Sequence, residues 1–355
     1  MRTGKDRAVE RRKLGRTDIE VSALCLGSMT WGTQNNAEEG HAQIERALEA
    51  GIDFVDTAEM YPVNPVSAET IGRTERIIGL WFERGGARKD MFLATKHSGE
   101  GMQYVRGGAP ISSETIPETI EGSLRRLQTD YIDLYQFHWP NRGSYMFRKN
   151  WSYDPTGSDP AEVRQNMDDC LGALQREVDR GTIRAFGLSN ESAWGTCQWL
   201  AAAERTGGPR VATMQNEYSL LCRLYDTDMS ETSVYEDVGL LAFSPLAAGL
   251  LTGKYQNEAV PEGSRMSLNS DLGGRKTDRV FAAVDAYLDI ASRHGLDPTQ
   301  MALAWCMTRP FMCSVIFGAT SVDQLEVALG AADVTLSDEV LDEIDVAHRA
   351  HPMPY

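Results

Sequence analysis

The sequence predicts a (β/α)8 TIM barrel with an N-terminal β-hairpin and an extra C-terminal helix. Three observations point there. Eight short apolar runs of strand character alternate with stretches of helical periodicity, and such alternation makes a parallel sheet covered by helices. The 355 residues exceed the roughly 250 that such a barrel needs. No G-x-G-x-x-G follows the first run, where "ALCLGSMTWG" stands instead, which weakens the competing doubly wound open sheet.

The elements follow in order. Residues 1–10 are charged and read as a disordered tail. "RRKLGRTDIEVSAL", with Gly15 and Asp18 in its turn, reads as the hairpin. Strand-like runs then fall at 23–27, 53–57, 92–96, 132–138, 185–189, 212–217, 240–244 and 314–318. Between them, Ile116, Ile120, Leu124 and Leu127 recur at helical steps over 113–128, with Pro117 in the first turn, where a missing N–H costs nothing. Val163, Met167, Cys170, Leu171, Leu174 and Val178 form a second stripe over 161–180, stopped by Gly181. No linker-like shift in composition interrupts the alternation, so 11–350 reads as a single domain.

Composition narrows the function. A formal charge of −16 argues against a nucleic-acid binder, because phosphate neutralisation needs a basic face. Adsorption to anionic membrane is disfavoured for the same reason. No stretch reaches ~18 uninterrupted apolar residues, so no membrane insertion is expected. The first thirteen residues lack the apolar segment of a secretory signal. The six cysteines, at 25, 170, 197, 222, 306 and 313, include no C-x-x-C pair and several sit in apolar runs. Buried thiols in the cytoplasm are expected.

Four residues stand at or just beyond strand ends: Asp56 in "DFVDT", Tyr61 in "DTAEMY", Lys96 closing "MFLATK" and His138 closing "IDLYQFH". Each alone is commonplace, as a cap, a solvent-bound lysine or a satisfied rim histidine. In a barrel they converge on the C-terminal mouth, where chemistry sits. A phenol near pKa ~10 is a poor acid at neutral pH. An adjacent ammonium lowers that pKa, a carboxylate keeps the lysine charged, and an imidazole can donate to a substrate oxygen as negative charge develops. The expectation is a proton-relay site with no metal. A metal-dependent hydrolase using His97 and His138 is the weaker reading, since no H-x-H spacing appears.

These residues, with "GLSN" at 187–190, "MQNEYS" at 214–219, "FSPLAAGLLTGKY" at 243–255 and "GATS" at 318–321, make the chain resemble the aldo-keto reductase superfamily. "GSMTWG", "DTAEMYPV", "QTDYIDLYQFHWP" and "GLSNESAWG" resemble its Tas-like branch, close to the potassium-channel β-subunits. The resemblance runs from about residue 11 to 346. It implies NADPH as cofactor, aldehydes or ketones as substrates, Tyr61 as general acid, Lys96 and Asp56 as its tuning pair, and His138 as the orienting group. By position it further implies that Ser189, Asn190 and Gln215 hold the nicotinamide carboxamide and that Phe243 stacks on the ring. Ser244, Pro245, Leu246 and Gly249 match the pyrophosphate loop, and Lys254 and Arg265 the phosphate cations. Gly318, Thr320 and Gln324 match the adenosine loop. Trp31 aligns beside the nicotinamide and substrate pocket.

Two departures stand out. Where the family carries Glu-Asn beyond Gln324, this chain has Val327 and Ala328, so weaker adenine contacts and a blurred NADPH preference are expected. The stretch 139–160 is an insertion with five aromatic residues; loops of such length are usually functional, and a substrate-pocket lid is expected over a solvated loop or subunit contact. The alternative function is a cofactor-binding regulatory module with little turnover, like the channel β-subunits. A homo-oligomer is compatible with either.

Overall fold

The computed structural model describes residues 9–355. Residues 1–8 of the expected tail lie outside the described residues. Residues 9 and 10 are described: Val9 is buried against the core, and the Glu10 carbonyl accepts a hydrogen bond from the Ala23 N–H at 2.8 Å.

A two-stranded antiparallel hairpin, β1 (Arg11–Lys13) and β2 (Glu20–Ser22), precedes the barrel. Its turn needs Gly15, whose φ is +58° and whose missing Cβ would lie 2.5 Å from the Ala212 carbonyl oxygen. The hairpin thus closes the barrel floor, with Leu14 and Val21 wholly buried among Cys25, Phe54, Leu134 and Leu241.

Eight parallel strands close the barrel: β3 (Leu24–Gly27), β4 (Phe54–Asp56), β5 (Phe92–His97), β6 (Ile132–Phe137), β7 (Ile183–Ser189), β8 (Val211–Glu217), β9 (Gly239–Phe243) and β10 (Met312–Phe317). They pair in sequence order, and β10 returns to β3. The connecting helices are α1 (Ala37–Glu49), α2 (Arg73–Glu83), α3 (Thr115–Leu127), α4 (Pro160–Asp179), α5 (Ala193–Thr206) and α6 (Asp228–Glu236). After β9 come α7 (Arg265–Leu268), α8 (Val280–Arg293) and α9 (Pro298–Met307); after β10 come α10 (Val322–Leu329) and the extra helix α11 (Asp338–Ala350). Both helical stripes read from sequence face the sheet: Ile116, Ile120, Leu124 and Leu127 of α3 are buried, as are Met167, Cys170, Leu171 and Leu174 of α4. The six cysteines are unpaired; Cys197 is exposed and Cys222 half-buried, the other four buried. Among the described residues no helix is long and apolar enough to cross a membrane.

The large core lies between strands and helices, so strand side chains alternate between that layer and the barrel interior. On β5, Lys96 points inward while His97, next along the strand, packs against Phe137 and bonds Thr115 of α3. This alternation decides which polar residues can meet at the mouth.

Candidate active site

Lys96 and Asp56 form a buried ion pair at the top of the barrel. The Lys96 Nζ donates to Asp56 Oδ2 at 2.5 Å and to the Thr57 carbonyl at 2.7 Å, with Lys96 entirely shielded from solvent. Burial opposes the lysine's charge, yet Asp56 and the Tyr61 phenol more than offset it and hold its pKa above the ordinary range. Tyr61 reaches the same spot from the loop after β4. Its ring centre lies 4.9 Å from Lys96 Nζ and meets the His138 ring edge-on at 5.8 Å.

The electrostatics differ from expectation in one respect. Burial raises the Tyr61 pKa and outweighs the lowering by Lys96, so the phenol stays protonated. His138 is pushed well below the usual imidazole range, by burial first and by Lys96 second, and is neutral at pH 7. Its Nδ1 is buried without a partner, so a proton is better placed on Nε2. The mouth therefore holds a neutral acid, a neutral imidazole and one fixed ammonium.

Beside it, Ser189 donates to the Gln215 carbonyl at 2.7 Å. Asn190, in the left-handed region at φ 54°, donates from Nδ2 to the His138 carbonyl at 2.9 Å and to Ser189 Oγ at 3.0 Å. Its Oδ1 is buried with no donor, as an amide would be that awaits one. Gln215 extends across the barrel to Asp56. Phe243, half-buried, ends β9. Beyond it Ser244, Ala247, Ala248 and Gly249 all have positive φ (53°, 48°, 58° and 93°), and such turns aim successive N–H groups into anion-binding hollows. Pro245 is buried and Leu246 half-buried in this loop. At Gly249 a Cβ would stand 2.8 Å from Lys254 Cε, so glycine there lets the lysine fold over the loop.

Lys254 and Arg265 have no carboxylate partner among the described residues. Burial depresses both pKa values, with Arg265 adding to the effect on Lys254 and Arg275 to that on Arg265. Arg265 Nε is buried without an acceptor, and its Nη2 reaches only the Met29 sulfur at 3.9 Å. Two partly buried, uncompensated cations in a strongly acidic chain suit a dianionic phosphate. Gly318 is exposed, and Gln324 Oε1 accepts from both the N–H and hydroxyl of Thr320 at 3.1 Å. At the adenine end Val327 is 37% exposed and Ala328 is buried, so neither offers a polar group. The donor set fits a nicotinamide dinucleotide at its nicotinamide and phosphate parts and is poorer at its adenine.

Trp31, which the resemblance puts beside the nicotinamide pocket, is buried in this structure. Its indole is fully buried between α1 and α2, packs on Gly40 and donates to Gln43 at 3.0 Å. The half-buried side chain on that turn that lies against Arg265 is Met29.

Part of the insertion lies against the mouth. Trp139 packs on the His138 ring at 4.9 Å, and Phe147 meets Trp139 edge-on at 6.4 Å. Tyr145 and Tyr153 pair with each other at 6.4 Å, and Trp151 is 61% exposed against Arg279, so not every aromatic residue of the segment serves the mouth. Arg148 ties the segment to β8 by a 2.7 Å ion pair with Glu217. Glu217 also receives Arg275 at 2.7 Å and the Tyr355 hydroxyl at 3.2 Å, and Arg275 reaches Ser244 Oγ at 3.4 Å. Sequence reasoning missed this cluster, Met29 and Gln136. Only Gln136 carried a signal: it is a polar residue two positions before His138, hence on the same inward face.

Comparison with known proteins agrees. The model of the aldo/keto reductase family matches residues 23–349. Protein Tas of Escherichia coli (strain K12) is 43% identical over 345 residues, covering 96% of this chain and 98% of that protein. The uncharacterized oxidoreductase YrpG of Bacillus subtilis (strain 168) is 32% identical over 335 residues, 92% of each chain. A probable voltage-gated potassium channel subunit beta of Oryza sativa subsp. japonica is 31% identical over 351 residues, 96% of this chain and 97% of that one. The chain belongs to the aldo/keto reductase family, in its Tas-like branch near the channel β-subunits, and is an oxidoreductase.

Proposed function

We propose that this oxidoreductase reduces aldehydes or ketones to alcohols with NADPH, as one domain spanning the barrel and acting in the cytoplasm. The observation that carries the reading is the convergence of Tyr61, His138 and the buried Lys96–Asp56 pair on one mouth. A carbonyl oxygen held between Tyr61 and His138 meets two neutral donors. As negative charge grows on that oxygen, His138 donates a hydrogen bond and Tyr61 gives up its proton. The resulting phenolate is stabilised by Lys96, whose own charge Asp56 fixes. The nicotinamide, when bound, supplies the hydride. Ser189, Asn190 and Gln215 would hold its carboxamide, Phe243 its ring, the 244–249 loop and Lys254 its pyrophosphate, and Arg265 the 2′-phosphate. Gly318, Thr320 and Gln324 line the adenosine side.

The second reading, a cofactor-holding regulatory subunit with little turnover, is favoured by the 31% identity to the channel β-subunit. Cofactor-fluorescence titration followed by a panel of simple and aromatic aldehydes separates the two. Saturable NADPH binding with turnover supports the reductase. Binding without turnover supports the subunit, and no binding removes both.

A further inference from the structure

We infer that Gln136 is a positioning residue that sets which face of the Gln215 amide meets the cofactor; this rests on the nicotinamide-binding reading above. Gln136 lies on the barrel interior one layer beneath His138. Its Nε2 donates to Asp56 Oδ1 at 3.2 Å, and its Oε1 accepts from Gln215 Nε2 at 3.1 Å. Gln215 Nε2 also donates to Asp56 Oδ1 at 2.8 Å. All three residues are buried, at 2% exposure or less.

The orientation follows from donor and acceptor counting. Asp56, ion-paired to Lys96, offers only acceptors, so both glutamines must turn their NH2 groups toward it. Gln215 has two amide hydrogens. Asp56 takes one and Gln136 Oε1 takes the other, which leaves Gln215 Oε1 as its one free polar atom; no described residue donates to it. Gln215 is thereby held as an acceptor toward the mouth, matched to the NH2 of a carboxamide. The room for Gln136 comes from the neighbouring strand. At Gly187 of "GLSN" a Cβ would stand 3.3 Å from Gln136 Cγ and 2.4 Å from Thr213 Oγ1. Without Gln136 the second hydrogen of Gln215 has no acceptor, and the amide gains freedom to rotate.

The test uses two cofactors: NADPH and its 3-acetylpyridine analogue, in which a methyl ketone replaces the carboxamide and the NH2 is lost. Wild type should prefer NADPH. The isosteric Gln136→Met should weaken NADPH on the order of tenfold, as for loss of one buried hydrogen-bond partner, and leave the analogue nearly unchanged. Gln215→Met should do the same, and the double variant no more than either alone, the mark of two residues acting through one contact. Equal weakening of both cofactors by Gln136→Met, or additive losses in the double variant, overturns the proposal while leaving the cofactor reading intact. Wild type that binds neither cofactor overturns the cofactor reading itself. A Gln136→Met protein that fails to fold is replaced by Gln136→Leu on the same readout.

Discussion

Replacing Asp56 with asparagine should add to the protein's stability a pH dependence that the wild type lacks at Lys96. The carboxylate receives three donors: Lys96 on Oδ2, and Gln136 and Gln215 on Oδ1. Asparagine keeps a carbonyl oxygen for the two amides and turns an NH2 toward the ammonium, so only Lys96 loses its partner. Breaking a buried pair from one side costs ~3–5 kcal/mol. The protein can escape part of this by discharging Lys96, which at neutral pH costs ~4.6 kcal/mol for an unfolded-state pKa of ~10.4. In wild type Lys96 sits above its ordinary range, because Asp56 outweighs the burial that opposes its charge. The stability it contributes is fully present below pH ~10.4 and is lost only above it. In Asp56→Asn the folded pKa drops below the unfolded one. The unfolded chain then binds the extra proton between the two, and stability rises with pH by ~1.4 kcal/mol per unit. Denaturant unfolding of both proteins from about pH 7 to about pH 10 measures this. The gap between them should close from ~4 kcal/mol to below ~1 kcal/mol. A gap that stays constant would refute the assignment of a charged, Asp56-dependent Lys96.

Further outcomes follow from the same geometry. Arg265→Ala should weaken NADPH by ~10–100-fold, the worth of a charge-assisted hydrogen bond, with NADH little changed; equal losses in parallel titrations would assign the 2′-phosphate to another cation. Phe147→Ala, removing the ring that backs Trp139 over His138, should lower kcat/KM for aryl aldehydes by ~5–10-fold and spare the smallest. Trp151→Ala, on an outward-facing side chain, should leave both unchanged, and the reverse pattern would displace the lid surface. Burial and then Arg106 hold His97 down to about 3, and His138 is also depressed. Below pH ~6.5 the unfolded chain takes up protons at both positions that the fold refuses, and these two histidines alone should lower stability by ~2.7 kcal/mol per unit of acidification. His97→Gln should reduce the slope by ~1.4 kcal/mol per unit in acid-titrated unfolding, and an unaltered slope would count against it.

The barrel was legible because each strand is a short apolar run and each helix shows its stripe, and Asp56, Lys96 and His138 close three of those runs. The inward–outward alternation that separates Lys96 from His97 is a property of any strand, and the sequence reading did not use it. Trp31's surroundings were not legible, because it lies past the end of β3, where the period of two no longer applies. The turn there carries a backbone bond from Trp31 N–H to Ser28, and the indole packs against α1 at Gly40 and Gln43. The net effect on Tyr61 was unreadable for another reason: the sequence names its charged neighbours but not the depth of burial that outweighs them. The Glu217 cluster joins Arg148, Arg275 and Tyr355 from three separate segments, and Tyr355 is 138 positions from Glu217. No local pattern encodes such a meeting.

Tyr61→Phe, compared with wild type in a single turnover on C4-deuterated NADPH and an aromatic aldehyde, tests the proposed chemistry most directly. Wild type should place deuterium on the former carbonyl carbon. The variant should bind NADPH with nearly the same Kd yet transfer deuterium ~10²–10⁴-fold more slowly, having lost its general acid. Transfer at the wild-type rate by the phenylalanine variant would contradict the role of Tyr61, and a wild type that binds NADPH but moves no deuterium would contradict the reductase itself.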